Sequence, residues 1–256
     1  MILGLEGKVA LVTGGARGLG AGICEAFAKE GANVVINYHS RPEEAEQFAL
    51  RLENEYGIRA LSVYADVSEE KEIMEMFDKI YEEFGTIDIV VNNAYNACNT
   101  KGPIEDFDPD AFEKLEKLTL RSALITSREL VKHCKSRHKP GHIVNMSSKS
   151  AFLTSSPNHI SYIAVKGAMA AITRGLAFEC AKDNIYVNAI IPGYAKGSRY
   201  DENSEKYNRV IQFLPMGRYA EPEEIADVVV FICSEKACQM NGVLLDVTGG
   251  TMSGQM

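Results

Sequence analysis

A tyrosine and a lysine four residues apart, Tyr162 and Lys166, have the types and the spacing for proton transfer. On a helix, side chains at that spacing lie on one face, one turn apart. Free tyrosine, with a pKa near ~10, is a poor acid or base at neutral pH. A neighbouring ammonium favours the phenolate, by roughly 4 kcal/mol at ~4 Å if the effective dielectric is ~20. Such a pair can pass a proton to or from an alcohol or carbonyl oxygen. The same spacing is common on solvated helix faces, so its meaning depends on what surrounds it. A second chemical signal is the run Gly14-Gly-Ala-Arg-Gly18-Leu-Gly20. Glycines there allow a tight turn and let backbone N–H groups approach a diphosphate. A helix starting at the turn adds partial positive charge.

These residues need elements to position them. Residues 8–13, apolar and β-branched, predict a buried strand leading directly into the glycine turn. A helical pattern with Ile23, Phe27 and Ala28 inward follows and closes at Gly31. Strand, glycine turn and helix together are the context of a phosphate-binding turn. Residues 33–38 predict the second strand. Where an acidic residue would read the 2′-hydroxyl of NAD, the chain has Tyr38-His39-Ser40-Arg41, and Arg17 lies in the glycine turn. Without a carboxylate to repel a 2′-phosphate, and with two arginines near it, NADP(H) is preferred over NAD(H).

The alternation continues along the chain. A helix over 42–56 stops at Gly57. A strand over 60–65 ends at Asp66-Val67. Ser68 is expected to cap a helix ending near Gly85. A strand over 87–94 precedes a polar loop. Asp108 and Pro109 open a long helix to about Arg137. A strand over 142–148 precedes the helix of Tyr162 and Lys166. A strand over 185–193 is followed by an irregular stretch over 194–220. A helix from Glu221 and a strand over 243–247 complete the series. Repeated βα units with short connections predict an α/β fold, with one doubly wound parallel seven-stranded sheet and helices on both faces. Ligands of such folds sit beyond the carboxyl ends of the strands, where Gly14, Asp66, Asn92, Ser148 and Pro192 fall.

Composition excludes several classes. The net charge is −8 with no basic run, which argues against nucleic acid or an anionic membrane as a partner. The N-terminal stretch predicts no signal peptide, and the apolar run 228–233 is too short to span a bilayer. The six cysteines show no metal-like spacing and read as core residues of a reducing compartment, so a cytoplasmic location and no metal are expected.

Taken together, Thr13-Gly14-x3-Gly18-x-Gly20, Asp66-Val67, Asn92-Asn93-Ala94, Ser148, Tyr162-x3-Lys166, Pro192-Gly193 and the segment 217–224 resemble the short-chain dehydrogenase/reductase family over Lys8 to Gly250. The resemblance implies a single Rossmann-like NAD(P)-binding domain over 1–256, with a substrate lid around 194–215. It implies that Gly14, Gly18 and Gly20 hold the cofactor diphosphate, with Arg17 and Leu19 as further cofactor-binding residues of the same turn. Tyr38, Ser40 and Arg41 stand at the adenosine ribose, Asp66 and Val67 at the adenine, and Asn92 and Ala94 along the ribose. Pro192 and Gly193 flank the nicotinamide. Ser148 positions the substrate oxygen, Tyr162 is the general acid/base, and Lys166 binds the nicotinamide ribose and favours the phenolate. A homotetramer or homodimer is implied as well.

The chain departs from the family pattern in three places. Thr119 stands where the family commonly has an asparagine that holds a relay water. Tyr95 replaces a glycine and is expected to turn away from the pocket. The loop from Ser148 to Tyr162 is one residue longer than usual. The expected activity is hydride transfer between NADP(H) and a carbonyl or alcohol. A 3-oxoacyl thioester, a sugar and a hydroxysteroid all stand as substrate classes. A non-catalytic NADP-binding scaffold is the alternative from another class. Lys149, Lys196 and Arg199 are candidate cations for an acidic or acylated substrate, against the plainer reading of solvated loop charge. Tyr194, Tyr200, Tyr207 and Phe213 are candidate lining of an apolar pocket.

Overall fold

Val9 to Val12 is apolar at every position, and all four residues are buried, because this strand (β1) lies at the centre of a sheet covered on both sides. In the computed structural model the structure describes residues 2–153, 158–196 and 204–252. The other strands are β2 (Asn33–Tyr38), β3 (Ala60–Tyr64), β4 (Ile89–Asn92), β5 (Gly141–Met146), β6 (Ile185–Pro192) and β7 (Leu244–Val247). They form one sheet in the order β3-β2-β1-β4-β5-β6-β7. Every neighbouring pair is parallel.

The helices are α1 (Gly18–Lys29), α2 (Pro42–Tyr56), α3 (Glu70–Phe84), α4 (Pro109–Glu116), α5 (Ser122–Arg137), α6 (Ile160–Cys180), α7 (Glu205–Ile211) and α8 (Pro222–Ile232). Strand residues alternate between two cores. Ala10, Val12, Val34 and Ile36 face one side, under Ile23 and Phe27 of α1 and Ile225 and Val229 of α8. Val9, Leu11, Val35 and Val90 face the other, under Ile73, Phe77 and Ile80 of α3 and Ile125 and Leu130 of α5. The strand order reverses between β1 and β4, which opens a crevice at their carboxyl ends.

Local chemistry explains most element boundaries and corrects three expectations. Gly57 and Gly85 end α2 and α3 in left-handed conformations. Asp108 caps α4 by accepting from the N–H groups of Asp110 and Ala111. Ser68 does not cap α3. Its hydroxyl and its N–H both bond to Oδ1 of Asp66, and the helix starts one residue later without a side-chain cap. The long helix over 109–137 is interrupted by a π turn at Lys117–Arg121 that contains Thr119. The irregular stretch after β6 contains α7, capped by Ser204, whose hydroxyl accepts from the N–H of Tyr207. Arg199 and Tyr200 lie outside the described residues, as does the 197–203 part of the expected lid. Among the described residues, no helix is long and apolar enough to cross a membrane.

Close packing at the glycine turn yields a stability test. A Cβ at Gly20 would collide with the carbonyl oxygen of Gly14 and stand 2.7 Å from Nδ2 of Asn93. Gly20→Ala is expected to lower the unfolding free energy by about 1–3 kcal/mol, seen as a lower urea midpoint. An unchanged midpoint would show that the turn relaxes around the methyl group.

Candidate active site

The carboxyl ends of β1 and β4 are tied together by hydrogen bonds. Thr13 follows β1 directly and accepts at Oγ1 from the N–H groups of Asn93 and Ala94, at 3.0 Å each. Nδ2 of Asn93 donates back to the carbonyls of Thr13 and Gly14. Asn37 on β2 accepts from the N–H of Gly14 and donates to the carbonyl of Ala65. The glycine turn is thus clamped from both neighbouring strands. Gly14 is left-handed (φ 61°), and a Cβ there would come within 3.2 Å of Ala94 Cα.

Past this turn α1 begins with no side-chain cap at Arg17 and no acidic residue in its first turn. An N-terminus of that kind, approached through glycine backbone, suits a diphosphate. The residues present therefore fit a dinucleotide. Arg17 and Gly18 are exposed, and Leu19 is half-buried beside them.

At the adenosine end the expected residues divide. Tyr38 stands edge-on to Tyr64, with ring centroids 6.0 Å apart. Ser40 is exposed. Arg41 caps α2 in a left-handed conformation and pairs with Glu44 of that helix at 3.2 Å. Arg17 is therefore the arginine less committed to its own helix. Asp66 bonds to Ser68 through Oδ1, and His39 lies 3.5 Å from its Oδ2. Val67 is buried next to it.

Asn92 points inward. Its Nδ2 donates to Oδ1 of Asn145 at 2.9 Å, and its Oδ1 accepts from the Thr126 hydroxyl at 2.6 Å. Asn145 in turn donates to Thr173 on α6 at 2.9 Å. The side chain of Asn92 thus fastens β4, β5, α5 and α6 to one another. Asn145, Thr126 and Thr173 carry no motif of their own, and only their burial in strand and helix interiors marks them.

The proposed reacting groups converge at the end of β5 and the start of α6. Ser148 is 7% exposed and accepts at Oγ from the N–H of Ser150 at 3.2 Å, which leaves its hydroxyl proton to donate. Ser147 is committed elsewhere, donating to the carbonyl of Lys166 at 3.0 Å. That difference favours Ser148 of the two. Lys166 is buried, and its Nζ donates to the carbonyl of Met146 at 2.6 Å. Burial pushes the Lys166 ammonium well below the ordinary lysine range, to about 8.

Tyr95 does not turn away. Its ring lies 5.0 Å from that of Tyr162 at 61°, and the Lys166 ammonium stands 5.5 Å from its centroid. The expected turn is prevented because the aromatic face of Tyr95 serves the buried cation. His159, at the N-cap position of α6, sits edge-on to Tyr162 at 6.3 Å. Thr119 is buried in the π turn packed against α6. Its Oγ1 has no hydrogen-bond partner among the described residues.

Pro192 and Gly193 end β6. A Cβ at Gly193 would stand 2.9 Å from Thr248. A cavity of about 230 Å³ opens beside them, lined by Tyr194, Leu214, Met216, Arg218 and Thr248 among others. Tyr207 is not in its lining. It stacks on Tyr219 at 4.1 Å, a packing role. Phe213 is 78% exposed and does not line the cavity either. Lys196 pairs with Glu221. Lys149 is buried, so the solvated-loop reading does not hold for it. Among the described residues, no group of three or more His, Cys, Asp or Glu could hold a metal ion.

Known proteins match along nearly the full chain. A family model described as Enoyl-(Acyl carrier protein) reductase matches residues 14–252. A hydroxynaphthalene reductase-like protein, Arp2, of Metarhizium majus is 33% identical over 263 residues, covering 97% of this chain and 96% of that protein. Versicolorin reductase stcU of Emericella nidulans is 33% identical over 259 residues, covering 96% of each. The structure of L-sorbose reductase from Gluconobacter frateurii, complexed with NADPH and L-sorbose, superposes with a TM-score of 0.91 at 30% identity. It covers 98% of this chain and 99% of that one.

The depressed pKa of Lys166 has a measurable consequence. Its folded-state pKa of about 8 lies below the unfolded value, about 10.4. Between those values the unfolded chain holds more protons, so the contribution of this group to stability rises with pH across that window. Wild-type stability relative to Lys166→Met should therefore increase from pH 7.5 to pH 10.5, by on the order of 3 kcal/mol. Urea unfolding of both proteins across this range gives the difference. A flat difference would mean that Lys166 titrates as an ordinary lysine.

Proposed function

From the premise that the chain belongs to the short-chain dehydrogenase/reductase family, oxidoreductases acting on CH–OH and carbonyl groups, we propose that it exchanges a hydride between NADP(H) and a small or medium-sized carbonyl or alcohol. The observation that carries this reading is the buried Lys166, one helical turn from Tyr162, whose Nζ bonds to the carbonyl of Met146, two residues before Ser148.

The nicotinamide supplies the hydride when bound, and the protein supplies position and protons. The glycine turn and the first turn of α1, with Gly14, Gly18, Leu19 and Gly20, would hold the diphosphate. Arg17 would meet the 2′-phosphate, with Tyr38, Ser40 and Arg41 at the same end. Asp66 and Val67 would hold the adenine. Ala94 and the backbone of Asn92 would line the ribose, since the Asn92 side chain is spent inward. Pro192 and Gly193 would flank the nicotinamide ring. Ser148 would hold the substrate oxygen by its free hydroxyl proton. Tyr162 donates its proton to that oxygen in reduction and recovers one in oxidation. Lys166 favours the phenolate by its charge, and the two donors not used on Met146 suit ribose hydroxyls. The NADPH in the L-sorbose reductase complex supports the cofactor choice.

The orphaned hydroxyl of Thr119, buried against the helix of the catalytic pair, supports its role in holding a water for proton return. The segment 194–215, with α7 in it, would cover the substrate. Exposed Ala164, Ala171 and Gly175 on α6, with Phe178 at 91% exposure, support self-association through that helix into a dimer or tetramer.

A panel of ketones and alcohols assayed with NADPH and NADH side by side tests this reading. Higher kcat/KM with NADPH is expected for at least one substrate. Tyr162→Phe should remove nearly all turnover while NADPH binding persists, and an active Tyr162→Phe enzyme would refute the mechanism. Thr119→Val, which keeps the shape and removes the hydroxyl, should lower kcat by about 10- to 100-fold. Thr119→Asn should restore part of the loss. A Thr119→Val enzyme within twofold of wild type would take Thr119 out of the proton path.

A further inference from the structure

Lys149 follows Ser148 directly, in a short 3-10 turn over Lys149–Ala151. It is 8% exposed, so most of its side chain is covered and it is not a freely solvated loop lysine. The ammonium stands 4.1 Å from the centroid of the Tyr194 ring. Among the described residues no carboxylate, hydroxyl or carbonyl is bonded to it. The other lysines of this region are satisfied: Lys166 by Met146, Lys196 by Glu221. Burial pushes the Lys149 ammonium below the usual lysine range, with no acidic neighbour opposing the shift. One cation–π contact recovers only part of the penalty for taking an ammonium out of water. Buried charges are ordinarily paired, and here no described residue offers a counterion.

The position of this cation is informative. β5 and β6 are hydrogen-bonded neighbours. Ser148 and Lys149 leave the end of one, Gly193 and Tyr194 the end of the other. The Lys149–Tyr194 contact therefore bridges two adjacent strand exits on the side of the sheet where Ser148 and Tyr162 stand. Tyr194 also lines the 230 Å³ cavity and rests edge-on against Tyr219 at 5.7 Å, so its ring is held in place.

We propose that Lys149, held against Tyr194, is a subsite for an oxyanion of the substrate. The carbonyl compound would then carry a carboxylate, or an ionised phenol or enol, near its reacting carbon. The inference rests on the reading of Ser148 and Tyr162 as the reacting end of the pocket. Bound there, the oxyanion would supply the partner that the fold leaves out, as a charge-assisted hydrogen bond in a water-poor site.

Binding tests this without turnover. Calorimetric titrations of the NADPH-saturated protein compare 2-naphthoate with methyl 2-naphthoate. A second arm, at the same neutral pH, compares pentafluorophenol, which is ionised there, with pentafluoroanisole. The two arms distinguish carboxylate from phenolate. Wild type should bind at least one anion about tenfold more tightly than its neutral partner. Lys149→Met should abolish that preference, and Lys149→Arg should restore part of it. Thermal melts check that both variants are folded. Equal affinity for anion and neutral partner in both arms overturns the proposal, as does a preference that Lys149→Met leaves intact. Either result leaves the Tyr162 assignment standing, while turnover by Tyr162→Phe would strike that assignment without altering the binding result.

Discussion

The buried ammonium of Lys166 is the constraint on which the candidate site of this protein depends. Removing an ammonium from water costs several kcal/mol, and little of that is returned by a single hydrogen bond. The surroundings are arranged accordingly. The Met146 carbonyl accepts from Nζ, the Tyr95 ring faces the charge, and Ser147 binds the Lys166 carbonyl, so the residue is tied to β5 at both ends. Behind it, the Asn92–Asn145–Thr173 chain fixes the spacing of β4, β5 and α6. Each link is buried, and a missing member would leave an unpaired polar group in a dry site. The polar interior is therefore scaffold for one charge, and the apolar layers around it supply the bulk of the burial.

Much of this architecture was legible from the amino-acid sequence because its signals are local. Alternating apolar strands and helical periodicities gave seven strands whose limits agree with the structure within two residues at most ends. Gly57, Gly85 and Asp108 act where their chemistry predicts, because left-handed φ values and N-cap hydrogen bonds are decided within a few residues. The differences arose where two local signals compete or where an element is short or off the usual period. Ser68 has the pattern of a cap, yet Asp66, two residues earlier, claims both its donors. The π turn around Thr119 is invisible to a 3.6-residue period, since the residues on either side remain helical. α7 is short, but Ser204 followed by Tyr207, Val210 and Ile211 is a cap with an apolar face that a finer reading would have found.

The site itself divides in the same way. Residue types and spacing pointed to Ser148, Tyr162 and Lys166, and the fold brings the elements carrying them together. Sequence spacing could not say that Ser147 is spent on the Lys166 carbonyl while Ser148 keeps its proton. It could not say that Asn92 faces inward, or that Tyr95 packs on Tyr162, since both depend on the rotamer chosen against neighbours remote in the chain. Arg17 and Arg41 looked equivalent. The helix of Arg41 places Glu44 within reach, whereas the first turn of α1 has no acid to offer Arg17.

The charge distribution ties these features together. A net charge of −8, spread evenly, disfavours an anionic dinucleotide. Its acidic residues, however, crowd the outer faces of helices: Glu43, Glu44 and Glu46 on α2, and Glu75, Asp78, Glu82 and Glu83 on α3 are all exposed. Water screens them there within about 10 Å. At the carboxyl ends of the strands the balance is reversed. The uncapped start of α1, Arg17, Lys149 and Lys166 lie along one edge of the sheet, and the last two are buried where screening is weak. Fixed positive charge in a low-dielectric crevice attracts anions whatever the outer surface carries. Lys166 has the Met146 carbonyl and the Tyr95 ring to stabilise it, and Lys149, among the described residues, has the Tyr194 ring alone. A covered cation with no hydrogen-bond acceptor gains one on meeting a counterion, and in this crevice that cation stands beside Ser148.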